Sequence, residues 1–276
     1  MSKVWFITGC SKGFGRVLSE ELLKQTDSLV VATARDLSTL DDLRKEFGDR
    51  ILTLTLDVVN TDHIKSGVEK ALQKFSRIDV LVNNAGYGFG GAIEECSMQS
   101  IRRVFDVNVF GLIEMTQAVL PIMRKQQSGH IFNLSSIAGL TATAGYGIYN
   151  GTKYAVEGLS EALAHETKTF GIKVTIIEPG PFRTDFLGES LELAPALPAY
   201  EGTAVDQTRH YCKHSNHQQN GDPLKAAKII VQLAAMENPP LRMPLGNIAM
   251  DRIYLKLEAL KKEVTGLEEL SRSADY

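Results

Sequence analysis

Cysteine is scarce in this chain. Its 276 residues include three, Cys10, Cys96 and Cys212, far apart and without a CxxC pair. A disulfide framework and a tetrathiolate zinc site are therefore not expected, and a reducing compartment fits. A charge excess is also missing. The 30 basic and 33 acidic residues leave a net −3, too small and of the wrong sign for nucleic acid as the main partner. No single run reaches the roughly 18 apolar residues of a membrane span. The opening MSKVWFITG is too short and too polar for a signal peptide. Linkers, repeats and low-complexity tracts are lacking up to residue 185. The expectation is a soluble, cytoplasmic protein with one domain over residues 1–276, large enough to bury a core without metal or disulfide help.

What is present is strand–helix alternation. Short apolar, β-branched runs occur at 4–8, 29–34, 51–56, 80–83, 131–134 and 174–178. They are blocky rather than alternating, as in strands buried on both faces. Between them, apolar residues recur at helical spacing. Two longer helices are expected, at about 98–124, with Pro121 bending or ending it, and from Tyr149 to about Thr169. This order predicts an α/β fold: a doubly wound parallel sheet with helices on both faces. The stretch 185–222 breaks the rhythm and reads as a mobile polar flap or substrate lid, with Asp222-Pro223 capping the next helix. A last helix carries Ile253, Leu257, Leu260, Val264 and Leu267 in register, within a C-terminal helix and tail at 250–276.

Gly9, Ser11, Lys12, Gly13, Phe14 and Gly15 follow the first strand and open the first helix. Glycines there let the backbone approach a pyrophosphate, and the helix N–H groups face the anion. Such a turn also occurs for packing alone, but its place in the first βα unit favours a dinucleotide. The second strand ends at Ala34, where an acid would bind the ribose of NAD. Arg35 follows, and with Lys12 it favours the 2′-phosphate of NADP(H). The alternative is that Asp36 takes the ribose and both cations are surface charges. Asp57 and Val58, after the third strand, stand where the adenine edge would lie; the alternative for Asp57 is to cap a turn.

Tyr149 and Lys153 lie one helical turn apart, on one face. An ammonium near a phenol favours the phenolate, which suits proton exchange with an alcohol oxygen. Alone this pair is more often a surface neighbour contact.

With these motifs the chain resembles the short-chain dehydrogenase/reductase family, in its single-domain branch, densely over residues 3–185. The matching motifs are TGxxxGxG at Thr8 to Gly15, Asn83-Asn84-Ala85-Gly86, Asn108 in Asn-Val-Phe-Gly, Ser135-Ser136, Tyr149-x-x-x-Lys153, and Pro179-Gly180 with Thr184 beyond. The resemblance implies about seven strands in the order 3-2-1-4-5-6-7. It implies Tyr149 as acid/base, Lys153 on the nicotinamide ribose, and Ser136 holding the substrate oxygen, with Ser135 as the competing assignment. Asn108 would support a proton relay, and Asn84, with Ala85 and Gly86, would sit near the adenosine; both asparagines also have a purely structural reading. Pro179, Gly180 and Thr184 would border the nicotinamide. The departure is Asn150-Gly151-Thr152 between tyrosine and lysine, where the family usually has alanine and serine.

The resemblance further implies a ketone or secondary-alcohol substrate, apolar in character, and a homodimer or homotetramer through the two long helices. Phe182, Phe186, Leu187, Leu191 and Leu193 would line its pocket or belong to the core. His210, His214 and His217 do not make a zinc spacing, and no metal is expected. Two other readings stay open: an NAD-dependent enzyme of the same family, and a dinucleotide-sensing protein without turnover.

Overall fold

The computed structural model describes residues 2–276. Its first half is a regular alternation: β1 (Val4–Ile7), α1 (Gly13–Gln25), β2 (Leu29–Ala34), α2 (Asp41–Phe47), β3 (Ile51–Thr55), α3 (Thr61–Phe75) and β4 (Val80–Asn83). A three-residue strand β5 (Gly88–Gly90) precedes α4 (Met98–Phe105) and α5 (Gly111–Gln126), then β6 (Gly129–Leu134), α6 (Gly147–Thr167) and β7 (Ile172–Pro179). The remainder comprises β8 (Leu191–Leu193), α7 (Ala204–His214), α8 (Pro223–Ala235), β9 (Arg242–Leu245), α9 (Asn247–Gly266) and α10 (Glu268–Arg272).

Seven strands form one parallel sheet in the order β3-β2-β1-β4-β6-β7-β9. Counting main-sheet strands alone, this is the expected 3-2-1-4-5-6-7. The blocky apolar runs have a direct cause. Successive side chains of a strand point to opposite faces. In β1, Trp5 and Ile7 enter one core with Leu18, Leu22 and Ile230, while Val4 and Phe6 enter the other with Met115, Val119 and Ile131. Both faces are covered, so every position must be apolar.

The helix pair α4–α5 is continuous through a π-turn at Asp106–Phe110, and Pro121 does not end it. Met115, Val119 and Met123 are fully buried against the sheet, and that packing outweighs the proline's lost hydrogen bond. By length and composition, residues 98–126 are also apolar enough to cross a membrane, although no single apolar run suggests it. Their buried face is that of a core helix. α6 begins at Gly147, two residues before the expected start.

The stretch 185–222 is not the featureless flap its composition suggests. β8 pairs in parallel with β5, and α7 is a three-turn helix capped by Thr203. Two buried polar contacts fasten it to the body. Glu95, whose side chain is fully buried, pairs with Arg209 at 2.8 Å, and Tyr146 Oη meets Cys212 Sγ at 2.8 Å. Asp222 caps α8 as expected, its carboxylate accepting from Leu224 N at 2.8 Å.

Candidate active site

The carboxyl ends of β1, β4, β6 and β7 open on one side of the sheet, and the strand order reverses between β1 and β4. Ligands of open α/β sheets bind at such a reversal. A cleft of about 1060 Å³ lies there, and all but two of the expected site residues border it. Asn108 and Gly15 stand behind its wall and act through the residues they touch.

On the β1–β4 side the loop is shaped for close backbone approach. Gly9 and Gly13 have φ of +71° and +63°, a region that side chains other than glycine rarely enter. A Cβ on Gly15 would lie 2.5 Å from both Asn84 Nδ2 and Gly9 O. Asn84 Nδ2 donates to Thr8 O and Gly9 O at 2.8 and 2.9 Å, so this asparagine braces the glycine loop. Thr8 Oγ1 accepts from Asn84 N and Ala85 N, both at 3.0 Å. No side chain caps α1, which leaves its first-turn N–H groups for an anion.

Arg35 is exposed at the cleft rim beyond the buried Ala34. Asp36 is turned to local work: its Oδ1 accepts from Ser38 N at 3.0 Å and Ser38 Oγ at 2.8 Å. Lys12 is paired with the exposed Glu189 at 2.8 Å, a surface contact that costs little to break. Asp57 Oδ1 accepts from Val59 N at 3.2 Å, capping a turn while bordering the cleft. Val58 is buried beneath Gly111, where a Cβ would lie 2.7 Å from its Cγ2. Phe14 packs on Phe182 with ring centroids 5.2 Å apart.

On the β6–β7 side, Tyr149, Lys153 and Asn108 are all buried. Ser136 follows β6, and its Oγ accepts from Ala138 N at 3.1 Å and is hydrogen-bonded to the Tyr149 phenol. Ser135 faces the other way, onto Glu157 behind the site, so Ser136 is the serine paired with the tyrosine. Lys153 Nζ donates to Leu134 O at 2.8 Å and lies 5.7 Å from the Tyr149 ring centroid. Asn108, in the π-turn, clamps the backbone after β4: its Nδ2 donates to Tyr87 O at 2.9 Å, and its Oδ1 accepts from Tyr87 N at 3.0 Å. Thr184 accepts from Phe186 N at 3.4 Å, and Gly180 N donates to Leu245 O at 3.0 Å. Gly151 is not forced by crowding, since a Cβ there would meet only Phe105 at an ordinary 3.6 Å.

The electrostatics correct one expectation. Burial raises the Tyr149 pKa, against a smaller opposing effect of the Ser136 hydrogen bond, so the phenol is neutral. Burial also lowers the Lys153 pKa to about 8, with Glu157 opposing. Lys153 is not among the groups that offset burial of the phenol. A protonated Tyr149 is able to donate to an oxygen that gains charge beside it.

Of the apolar residues expected to line a pocket or belong to the core, Phe182, Phe186, Leu187 and Leu191 border the cleft, whereas Tyr146, Tyr211, Ile248 and Arg252 carried no sequence signal. Tyr146 and Phe186 flank the Tyr149 ring at 5.9 and 5.5 Å. Leu187, Leu191, Tyr211 and Ile248 continue this apolar wall, whereas Leu193 lies outside the cleft, against Gly90. Arg252 closes the far end, donating to Thr143 Oγ1 at 2.7 Å. Only the i−3 spacing of Tyr146 from Tyr149 is visible in the sequence.

Behind the site, Glu157 and Glu178 are buried together, with Arg242 Nε 3.3 Å from the first and 3.6 Å from the second. Burial, and then the neighbouring Glu157, push Glu178 up to about 8. Unfolding frees a glutamate that ionises near 4.5, so between these values the folded chain holds the extra proton. Stability should fall as pH rises through that window and level off above it. Glu178→Gln should flatten this part of the profile, read as urea midpoints from pH 5 to 8.

Comparison with known proteins agrees with the fold and the motifs. The short chain dehydrogenase family model matches residues 3–193. Oxidoreductase BOA17 of Botryotinia fuckeliana is 37% identical over 272 residues, covering 98% of each chain. A short-chain dehydrogenase structure from Streptomyces avermitilis is 40% identical, with a TM-score of 0.93 over 99% of this chain and 100% of that one. A short-chain dehydrogenase/reductase from Burkholderia phymatum in complex with NAD is 27% identical, with a TM-score of 0.82 over 95% of both chains.

Proposed function

The chain belongs to the short-chain dehydrogenase family, and from that premise we propose that it is an NADP(H)-dependent reductase of apolar ketones, reversible toward the secondary alcohol. The observation that carries the chemistry is the buried Tyr149 beside Ser136, a neutral phenol facing an apolar pocket walled by Tyr146 and Phe186. The uncapped start of α1, the positive-φ glycines and the exposed Arg35 fit a dinucleotide with a 2′-phosphate.

The bound nicotinamide supplies or accepts the hydride. The chain's own residues handle the oxygen and the proton. Ser136 and Tyr149 hold the substrate carbonyl oxygen, and Tyr149 donates its phenolic proton as that oxygen gains charge. Lys153, with a pKa lowered to about 8, is poised to return a proton toward the phenolate. Asn108 keeps the backbone at Tyr87 in place beside it. The apolar wall excludes water and admits carbon-rich substituents on either side of the carbonyl.

The test is loss of reduced-nicotinamide absorbance with a panel of ketones, using NADPH and NADH in parallel. Turnover with none of them, despite tight dinucleotide binding, would favour the sensing protein. The cofactor reading is tested by Arg35→Asp. A guanidinium binds phosphate through charge-assisted hydrogen bonds worth about 1.5–3 kcal/mol each. Losing them and adding repulsion should move the NADPH/NADH ratio of kcat/KM toward NADH by about 10- to 100-fold. Lys12→Ala in the same chain should extend the change. Wild type that prefers NADH would remove the assignment.

A further inference from the structure

Five cationic side chains border the cleft: Lys12, Arg35, Arg103, Lys153 and Arg252. Two of them already face a carboxylate, Lys12 that of Glu189 and Arg103 that of Glu192. Lys153 is buried beside Tyr149, with its Nζ given to Leu134 O. Arg35 and Arg252 have no carboxylate partner among the described residues. They stand far apart in the fold. Arg35 follows β2, on the dinucleotide side, whereas Arg252 lies on α9, after β9 at the other edge of the sheet.

Arg252 is fixed in place at one nitrogen only. Ile248 and Arg252 are one helical turn apart, so they share a face of α9, and both border the cleft. The fully buried Ala249 anchors this turn to the body. Arg252 Nη2 donates to Thr143 Oγ1 at 2.7 Å. Thr143 N donates in turn to Asn150 Oδ1 at 3.3 Å, and Asn150 is the residue after Tyr149. The guanidinium is thus tied to the turn that carries the phenol. It has five N–H donors, and among the described residues no other hydrogen bond uses them. The side chain is half-buried, and the surfaces beside it, Tyr146, Tyr211 and Ile248, are largely apolar.

Such a group suits a carboxylate. A guanidinium fork matches the planar anion through two parallel charge-assisted hydrogen bonds. No second cation without a carboxylate borders this end of the cleft, so a singly charged anion is matched better than a phosphate dianion. We propose that Arg252 is a substrate-binding residue, and that the ketone carries a carboxylate at the end of one apolar substituent. The inference rests on the ketone-reductase reading and adds one charge to its substrate. Ser136 and Tyr149 hold the carbonyl oxygen, the carbon chain runs along Tyr146 and Ile248, and Arg252 holds the carboxylate.

The test compares straight-chain methyl-keto acids of increasing length with their methyl esters, using the reduced nicotinamide that the enzyme prefers. Wild type, Arg252→Gln and Arg252→Lys are measured side by side. Glutamine can still donate to Thr143 but lacks the charge; lysine keeps the charge without the fork. At the length that spans both groups, wild type should have a KM for the acid at least about tenfold below that for the ester. The kcat values should be similar, because the contact is the same in ground and transition states. Arg252→Gln should raise KM for the acid to that of the ester and leave the ester unchanged, and Arg252→Lys should keep part of the preference. Turnover of the esters shows that each variant is folded. Esters turned over by wild type with the KM of the acids at every length would overturn the proposal and leave the ketone-reductase reading standing. A KM raised alike for acid and ester in Arg252→Gln would also overturn it, since Arg252 would then only brace Thr143. If no ketone is turned over, the reductase reading fails, and calorimetric titration with alkanoates of the same lengths, oxidised cofactor bound, decides the site separately. Binding that is lost in Arg252→Gln supports it; equal binding, or none, overturns it.

Discussion

Tyr149→Phe should keep the fold and the affinity for NADPH while losing about 10³-fold in kcat on any active ketone. Only the phenolic oxygen is removed, and the ring keeps its contacts with Tyr146 and Phe186. The size of the loss follows from the environment. Burial holds the phenol neutral, with Ser136 as its hydrogen-bond partner, so no solvent donor replaces it easily. Positioned proton transfer contributes about 10²- to 10⁴-fold, and the oxygen-holding contact is lost with it. Stopped-flow absorbance for turnover and fluorescence titration for NADPH separate chemistry from binding. Near-normal turnover would remove Tyr149 from the reaction.

Glu95→Ala should loosen the cover of the cleft at a local cost of about 3 kcal/mol. The wild-type carboxylate is fully buried as a side chain and fully used. It accepts from Ala92 N at 2.6 Å, Leu197 N at 2.8 Å and Arg209 Nη2 at 2.8 Å. Burial alone would raise its pKa; the two backbone bonds and Arg209 outweigh this and lower it. Alanine strands three donors, one of them the charged Arg209, which has only Ala194 O left at 2.6 Å. Hydrogen exchange should rise in 191–214 and not in β1 or β6. KM for ketones should rise while dinucleotide affinity stays. Replacing both partners with apolar residues, Glu95→Leu with Arg209→Met, should recover most of the loss, because no unpaired charge remains. Exchange that rises throughout the sheet would show instead that this pair supports the whole fold.

How far the sequence reaches depends on how local each feature is. Five of the six runs are interior strands, apolar at almost every position because both faces are covered, and the sixth, edge strand β3, still buries Ile51 and Leu54. The seventh strand, Arg242–Leu245, is not legible. It is an edge strand paired on one side with β7, so arginine and proline are tolerated and no run appears. The glycine loop, the Tyr149–Lys153 turn and the Asp222 cap are spacings of a few residues, and they stand as read. The helical register of the last helix is legible too, although nothing in the sequence says that Leu257, Leu260 and Val264 face solvent.

Other choices belong to contacts between distant segments. Asp36 caps a turn at Ser38, only two residues away, while Arg35 borders the cleft. Ser136 rather than Ser135 lies beside Tyr149, because Ser135 Oγ is packed near Gly139 and Glu157 on α6. The segment 185–222 reads as a polar flap, but Glu95 and Arg209, 114 positions apart, fasten it. The sequence by itself determined the doubly wound sheet, the dinucleotide loop and the Tyr–Lys pair, because periodicity and short spacings are properties of single elements. Tertiary structure alone decided which serine lies beside Tyr149, how deeply the phenol is buried and what fastens the segment over the cleft. Each of those depends on burial, and burial is set by side chains that the chain brings together only when it folds.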